Sequence, residues 1–256
     1  MKKIVFITLI MINLNAMSQN TMSPELLLKL GRLTTLGLSK DGKNIVYKVD
    51  TPSAEENKSN SKFYTLPIKG GNPTEVTSTK ELLNDKNVSP DGKYLVYDQE
   101  VKIEKVHGKD FYPELEKSNA QIYNGLDYRH WDKWNEGKFN HVFYKENKEA
   151  SVGIDILKGE NFDSPQKPFG GDEDYIWSPD SKSIVYVCKK KTGTAYAIST
   201  NTDIYEYNLE SGKTINRTEG NLGYDTHPAF SPTGNLTWLQ MKRDGYEADK
   251  NDIIVE

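Results

Sequence analysis

Short apolar runs recur along the chain, and each follows a compact polar turn. Four segments share this order, at residues 38–47, 88–97, 177–186 and 230–239. In the fullest version, Ser-Pro-Asp-Gly, proline pre-sets φ, aspartate bonds to the nearby backbone, and glycine accepts a left-handed conformation. The β-branched and aromatic residues that follow favour strands. Each segment therefore predicts two strands joined by a tight turn, with the apolar residues buried.

The turns repeat at regular intervals. The position of the turn glycine is held by Gly42, Gly92, Gly137, Ser181 and Gly234, of which Gly137 belongs to a weaker copy. Successive copies are 44 to 53 residues apart, and one four-stranded propeller blade takes about 40–50 residues. A β-sandwich would lack this repeat, and a parallel solenoid would have a shorter period. The sequence predicts an all-β fold, an incomplete β-propeller of four-stranded blades with about five blade-like repeats.

Other segments depart from this repeat. Residues 22–32 have Pro24 near their start and apolar residues at helical spacing, which predicts one short helix. Residues 102–121 are rich in charge and predict a surface excursion of the second blade. We find no linker that would separate two domains.

The first residues have the layout of a secretory signal peptide. Lys2 and Lys3 precede an apolar stretch at 4–12, and small and polar residues follow as far as Ser18. The stretch is shorter than the roughly 20 residues that span a bilayer. We therefore expect a signal peptide at 1–18, cleavage near Ser18–Gln19, and a periplasmic or extracellular propeller at 19–256 with no membrane span.

Composition excludes several kinds of partner and cofactor. The net charge is −4, from 33 basic and 37 acidic residues. The sequence has no basic stripe of the kind that indicates nucleic-acid binding. The single cysteine, Cys188, lies in an apolar run and is predicted to be a buried strand residue. The four histidines lack metal-ligand spacing, so neither a metal nor another cofactor is expected.

Two further segments carry a family resemblance. The repeat by itself is similar to those of Tol-type periplasmic propellers and of prolyl-oligopeptidase-family peptidases. Residues 128–138 read YRHWDKWNEGK, and residues 223–232 read GYDTHPAFSP before MKRDGYEADK at 241–250. Both resemble the dipeptidyl-peptidase and acylaminoacyl-peptidase branch of the prolyl-oligopeptidase family. The resemblance covers roughly residues 24 to 256.

The resemblance implies a two-part serine peptidase. In this family a propeller caps an α/β-hydrolase domain, which follows it in sequence and carries a Ser-His-Asp triad. The partners implied are oligopeptide substrates and the chain's own hydrolase domain. The nucleophile would lie in a Gly-x-Ser-x-Gly elbow, but residues 37–41, the nearest fragment, lack the final glycine. We therefore assign no catalytic residue and expect a substrate-gating propeller without its catalytic domain; a stand-alone Tol-type propeller that binds proteins is the alternative.

Four residues are candidates for substrate binding. A peptidase that acts near a free N-terminus needs an anion for the substrate ammonium, and a carboxylate supplies a charge-assisted hydrogen bond. The candidates are Tyr224, Tyr246, Glu247 and Asp249, with Glu247 the first choice. The alternative for Glu247 is a structural ion pair with Arg243 or Lys250.

A second cluster contains His130, Trp131 and Trp134, and its tryptophans are expected to pack between blades. His130 and His141 are expected to be hydrogen-bonded structural residues.

Overall fold

The computed structural model describes residues 22–126 and 128–256. The expected signal peptide at 1–18 lies outside these residues. The chain forms two compact units, of which the first ends at Asp85 and the second begins at Lys86. Within the described residues, every helix is too short or too polar to cross a bilayer.

The first unit contains one helix and one antiparallel sheet. Its elements are α1 (Pro24–Lys29), β1 (Arg32–Leu38), β2 (Asn44–Ser53), β3 (Lys58–Pro67) and β4 (Thr74–Val76). The strands lie in sequence order. Helix α1 is the predicted short helix: proline occupies its first turn, and Ser23 Oγ accepts a hydrogen bond from Leu26 N at 3.2 Å. Both features stabilise a helix N-terminus.

The second unit contains three further meanders. Its elements in chain order are β5 (Tyr94–Lys102), α2 (Gly108–Phe111), β6 (Arg129–His130), β7 (Lys133–Trp134), β8 (Lys138–Glu146), β9 (Ile154–Asp155), β10 (Tyr175–Trp177), β11 (Ser183–Cys188), α3 (Gly193–Ile198), β12 (Asp203–Asn208), β13 (Thr214–Asn216), β14 (Asp225–Phe230), β15 (Leu236–Gln240) and β16 (Asp252–Val255). The sheets are β5-β8-β9, β10-β11-β12-β13 and β14-β15-β16, with β6-β7 as a separate hairpin. The all-β prediction is confirmed, and the chain forms an incomplete β-propeller.

The repeated turns share one hydrogen-bond pattern. In the first, Ser39 Oγ donates to Asp41 Oδ1 at 2.6 Å and accepts from Asn44 N at 2.9 Å. The turns that begin at Ser89 and Ser178 repeat both bonds. The serine hydroxyl is the main cause that lowers the pKa of Asp91, to about 2. These aspartates therefore close turns.

The sheet β10–β13 is covered on both faces. All six residues of β11 are buried. Ile184, Tyr186 and Cys188 join a core cluster with residues of β5, β8 and β10, including Val96, Val142 and Trp177. The alternate residues Val185 and Val187 pack with Ile204, Leu236 and Trp238. Because alternate side chains of a strand point to opposite faces, β11 contributes to two cores.

Three sheets also share a cross-strand aromatic pair. The pairs are Tyr47–Tyr64, Tyr97–Phe143 and Tyr186–Tyr205, with ring centroids 5.4, 5.5 and 5.5 Å apart. In each, the partners lie directly opposite on antiparallel strands. Such pairs typically contribute about 0.5–1.5 kcal/mol beyond area burial. The tyrosine of the repeated strand therefore has an aromatic partner on the adjacent strand in all three sheets.

Candidate functional site

The connections of the second unit form a cavity of about 920 Å³. Its walls come from the β5–β8, β9–β10 and β11–β12 connections, together with Glu100 of β5 and residues 138–140 at the start of β8. Since neighbouring strands run antiparallel, these connections begin at the sheet ends opposite the repeated turns. The volume lies within the range of small-ligand sites, about 300–1,000 Å³. The predicted excursion at 102–121 forms part of the first wall.

One wall is aromatic. Trp131 and Phe169 are 66% and 75% exposed and contact each other edge to face at 5.2 Å. Trp134 stacks at 6.0 Å on Tyr123, within the same connection. The expectation that these tryptophans pack between blades is therefore wrong. His130, expected to be held by hydrogen bonds, is exposed against the Trp131 ring at 5.1 Å.

Trp131 has an unusual backbone conformation. Its φ is 51°, in the left-handed region that a bulky residue rarely adopts. Such strain costs about 1–3 kcal/mol and persists where the surroundings enforce it. Arg129 Nε donates to Trp131 O at 2.6 Å, and the Arg129 guanidinium lies 5.4 Å from the Trp134 ring. The hairpin is thus fixed by Trp134 and Arg129, while the Trp131 ring remains exposed.

Another part of the cavity lining is polar and consists of a network of ion pairs. Lys167 Nζ lies 3.2 Å from Asp163 and 3.5 Å from Glu100. Lys138 lies 3.1 Å from Glu136 and 4.0 Å from Glu100. Burial raises the pKa of Asp163, although Lys167 and the Asn140 N–H oppose this shift. These charges compensate one another within the wall.

Helix α3 joins the cavity to the predicted binding segment. Lys189 Nζ donates to the carbonyls of Tyr196 and Ser199 at 2.7 and 2.5 Å, and it lies 4.0 Å from the Tyr196 ring. A cation at this end satisfies helix carbonyls and complements the helix dipole. Directly after α3, Ser199 Oγ donates to Asp244 Oδ1 at 2.7 Å. The β15–β16 connection is thereby attached beside the cavity wall.

The four predicted binding residues lie in or next to this connection. Arg243 Nε donates to Asp249 Oδ2 at 2.8 Å, and the guanidinium lies 4.0 Å from the Tyr246 ring. The hydrogen bond from Arg243 lowers the pKa of Asp249. Arg243, Tyr246 and Asp249 therefore form one structural group.

Glu247 has no such partner. It is exposed, and none of the cations in the described residues pairs with it. Arg243 bonds to Asp249, and Lys250 bonds to Asp252. The structural ion pair considered for Glu247 is thus not found. The half-buried Tyr224 lies near it: burial raises the pKa of this phenol, and the charge of Glu247 adds to the shift.

Asp225 holds the strand next to Tyr224, a role that the sequence did not reveal. It is fully buried and accepts hydrogen bonds from Trp238 Nε1, Gln240 Nε2 and Asn221 Nδ2 at 2.9 to 3.0 Å. Burial raises the pKa of its carboxyl group. Asp225 therefore ties β14 to β15 and positions Tyr224.

Two residues expected to be structural are confirmed as such. His141 is fully buried, with Nδ1 2.9 Å from Asp155 Oδ2 and Nε2 2.9 Å from Glu160 O. Cys188 is fully buried, and burial raises the pKa of its thiol. In the part of the chain that the structure describes, no three His, Cys, Asp or Glu side chains are grouped to hold a metal ion.

Comparisons with known proteins found dipeptidyl-peptidases that are similar to this chain. No protein-family model matches it. Dipeptidyl-peptidase 5 of Porphyromonas gingivalis is 35% identical over 281 residues, which cover 91% of this chain and 41% of that protein. Dipeptidyl-peptidase 5 of Porphyromonas endodontalis is 35% identical over 275 residues, covering 89% and 40%. TolB of Acinetobacter baumannii aligns with 13% identity and a TM-score of 0.38, covering 88% of this chain and 41% of that structure.

The chain spans about two fifths of the length of the curated relatives that it matches. The structural alignment is too weak to carry an argument about function. The sequence relationship, in contrast, covers 91% and 89% of this chain at 35% identity. The predicted relationship to prolyl-oligopeptidase-family peptidases is confirmed, and the chain is a homologue of dipeptidyl-peptidase 5 over nine-tenths of its length.

Proposed function

We propose that this chain is the substrate-gating propeller part of an exported serine exopeptidase that releases dipeptides from oligopeptides. The observation that carries the proposal is the 35% identity to dipeptidyl-peptidase 5 over 91% of the chain. The catalytic serine belongs to a hydrolase domain outside residues 1–256. The signal-peptide pattern at 1–18 supports export.

Within this function, Glu247 binds the substrate ammonium. Releasing a dipeptide requires the enzyme to bind the free N-terminus of the substrate. A carboxylate binds this ammonium group through a charge-assisted hydrogen bond. Glu247 is suited to this role because the cations beside it already bind Asp249 and Asp252. The Tyr224 phenol lies within reach of its charge and supplies a second hydrogen-bonding group.

Calorimetric titration of the chain with tetraalanine and N-acetyl-tetraalanine tests the proposal. Tetraalanine should bind about 10-fold or more tightly than its acetylated form, since a hydrogen bond to a charged group contributes about 1.5–3 kcal/mol. Glu247→Gln should remove this difference without changing the affinity for the acetylated peptide. Hydrolysis of either peptide is not expected from the chain alone.

Glu210→Gln is the matched control, because Glu210 is also exposed but lies in the β12–β13 turn. This variant should keep the preference for the free N-terminus. Equal affinity of the unmodified chain for the two peptides would contradict the role of Glu247. If neither peptide binds, the substrate-gating function itself is wrong.

A further inference from the structure

The aromatic wall of the cavity is composed of rings that the fold does not need for its core. Trp131 and Phe169 are exposed large side chains from two different connections, and their rings meet at the cavity. Trp134 and Tyr123 already fix the hairpin by stacking. Large apolar residues that remain exposed together typically mark a binding surface.

The backbone directs the Trp131 ring to this position. Trp131 has φ 51°, which non-glycine residues rarely adopt, and Arg129 Nε holds its carbonyl at 2.6 Å. Glycine or asparagine would suit this turn better. The strained backbone is thus kept at a residue whose ring is exposed and contacts Phe169.

The charges around the cavity do not select a charged ligand. The lining contains five carboxylates and four lysines. Lys138 and Lys167 are paired with Glu100, Glu136 and Asp163. Once these ions compensate one another, the exposed rings offer the main apolar contact for a ligand.

We propose that Trp131 and Phe169 form an aromatic subsite that binds one large apolar or aromatic side chain of the peptide. This inference rests on the proposed function, since the ligand is the peptide whose ammonium Glu247 binds. Offset or edge-to-face contact with two rings favours an aromatic ligand side chain over a methyl group. The subsite therefore adds a side-chain preference to recognition of the N-terminus.

Titration with a set of tetrapeptides tests the subsite. The set contains tetraalanine and the four peptides in which phenylalanine replaces one alanine. At least one of these four should bind about 5- to 10-fold more tightly than tetraalanine. Trp131→Asn and Phe169→Ala should each remove this gain, so that the phenylalanine peptide binds each variant no more tightly than tetraalanine does. Asparagine tolerates the left-handed conformation, so the hairpin should be retained.

Tyr112→Asn is the control, because Tyr112 is 52% exposed but lies outside the cavity lining. This variant should keep the full gain. If tetraalanine binds but no phenylalanine peptide binds more tightly, or if the gain survives in both cavity variants, the aromatic subsite is wrong. Absence of any peptide binding would instead overturn the function on which it rests. Urea midpoints equal to that of the unmodified chain would confirm that the variants fold.

Discussion

The sheets β1–β4 and β10–β13 arise from the same repeat but differ in burial. In both, the repeat consists of the apolar residue that ends the first strand, a Ser-containing turn, and a second strand with the sequence Ile-Val-Tyr. Trp177, the first residue of the repeat in β10–β13, is 6% exposed, whereas its counterpart Leu38 is 57% exposed. Ile184 is fully buried, whereas its counterpart Ile45 is only partly buried. The expectation that the apolar residues of each repeat are buried is therefore wrong for Leu38 and only partly met by Ile45, although Val46 of the same strand is fully buried.

Neighbouring sheets explain this difference. The faces of β11 pack into two clusters, one shared with β5 and β8 and the other with β15. Among the described residues, β1–β4 is the only sheet of its unit. The repeat thus encodes strands, turns and a cross-strand aromatic pair, while the neighbouring sheets supply most of the burial.

The largest effect is expected when the isoleucines at the same position of the two repeats are each replaced by alanine. Ile184→Ala should reduce the free energy of unfolding by about 3–4 kcal/mol, because it removes three carbons from a closed core. Ile45→Ala should cost about 1–2 kcal/mol, since part of that side chain already contacts water. Urea unfolding followed by circular dichroism measures both.

Val46→Ala and Val185→Ala are the matched controls for this pair. Both valines are fully buried, so their costs should be similar. An Ile45→Ala cost equal to that of Ile184→Ala would show that the two sheets are buried alike.

Two carboxylates should give opposite pH dependence. Asp174 precedes β10, and burial raises its pKa from 3.8 to about 6. Ionisation of this carboxyl group therefore destabilises the folded protein. The free energy of unfolding should increase as the pH falls from about 6 towards 4, because the group becomes protonated. Asp174→Asn should stabilise the protein by roughly 3 kcal/mol at pH 8 and have no effect at pH 4.

Asp50 of β2 is the contrasting case. Hydrogen bonds lower the pKa of Asp50: the bond from Ser61 has the larger effect, and the bond from Lys48 has the next largest. Its contribution should be present at neutral pH and be lost in acid, so Asp50→Asn should destabilise at pH 8. Thermal unfolding across this pH range compares the variants, and a stabilising Asp50→Asn would contradict the prediction.

The smallest effect concerns the turn position at which serine replaces glycine. Ser181 has φ 62°, and its hydroxyl accepts a hydrogen bond from Asp91 N at 3.0 Å, which links two repeats. Ser181→Gly should change stability by less than about 0.5 kcal/mol, because relief of strain offsets the lost bond. Gly42 has φ 67°, and Gly42→Ser should cost about 1 kcal/mol. Equal losses in urea unfolding would rule out this compensation.

The candidate site was only partly predictable. The motif at 241–250 made Glu247 a candidate, and the many aromatic residues at 128–134 drew attention to the hairpin. Their geometry depended on contacts distant in sequence, such as Ser199 with Asp244 and Trp131 with Phe169. Asp225 gave no local signal because two of its partners, Trp238 and Gln240, lie on β15.

The sequence by itself determined the strands, the turns and the family. These follow from local chemistry: serine and aspartate close each turn, glycine accepts positive φ, and β-branched residues extend the strand after it. Only the tertiary structure decided which repeats are buried, that Arg243 and Lys250 pair with carboxylates other than Glu247, and which aromatic rings line a cavity. Ile45 and Ile184 occupy the same position of the repeat, yet their burial differs because it depends on the sheets that surround them. A side chain's neighbours across space are set by the packing of whole sheets, which a repeat of about 50 residues does not encode.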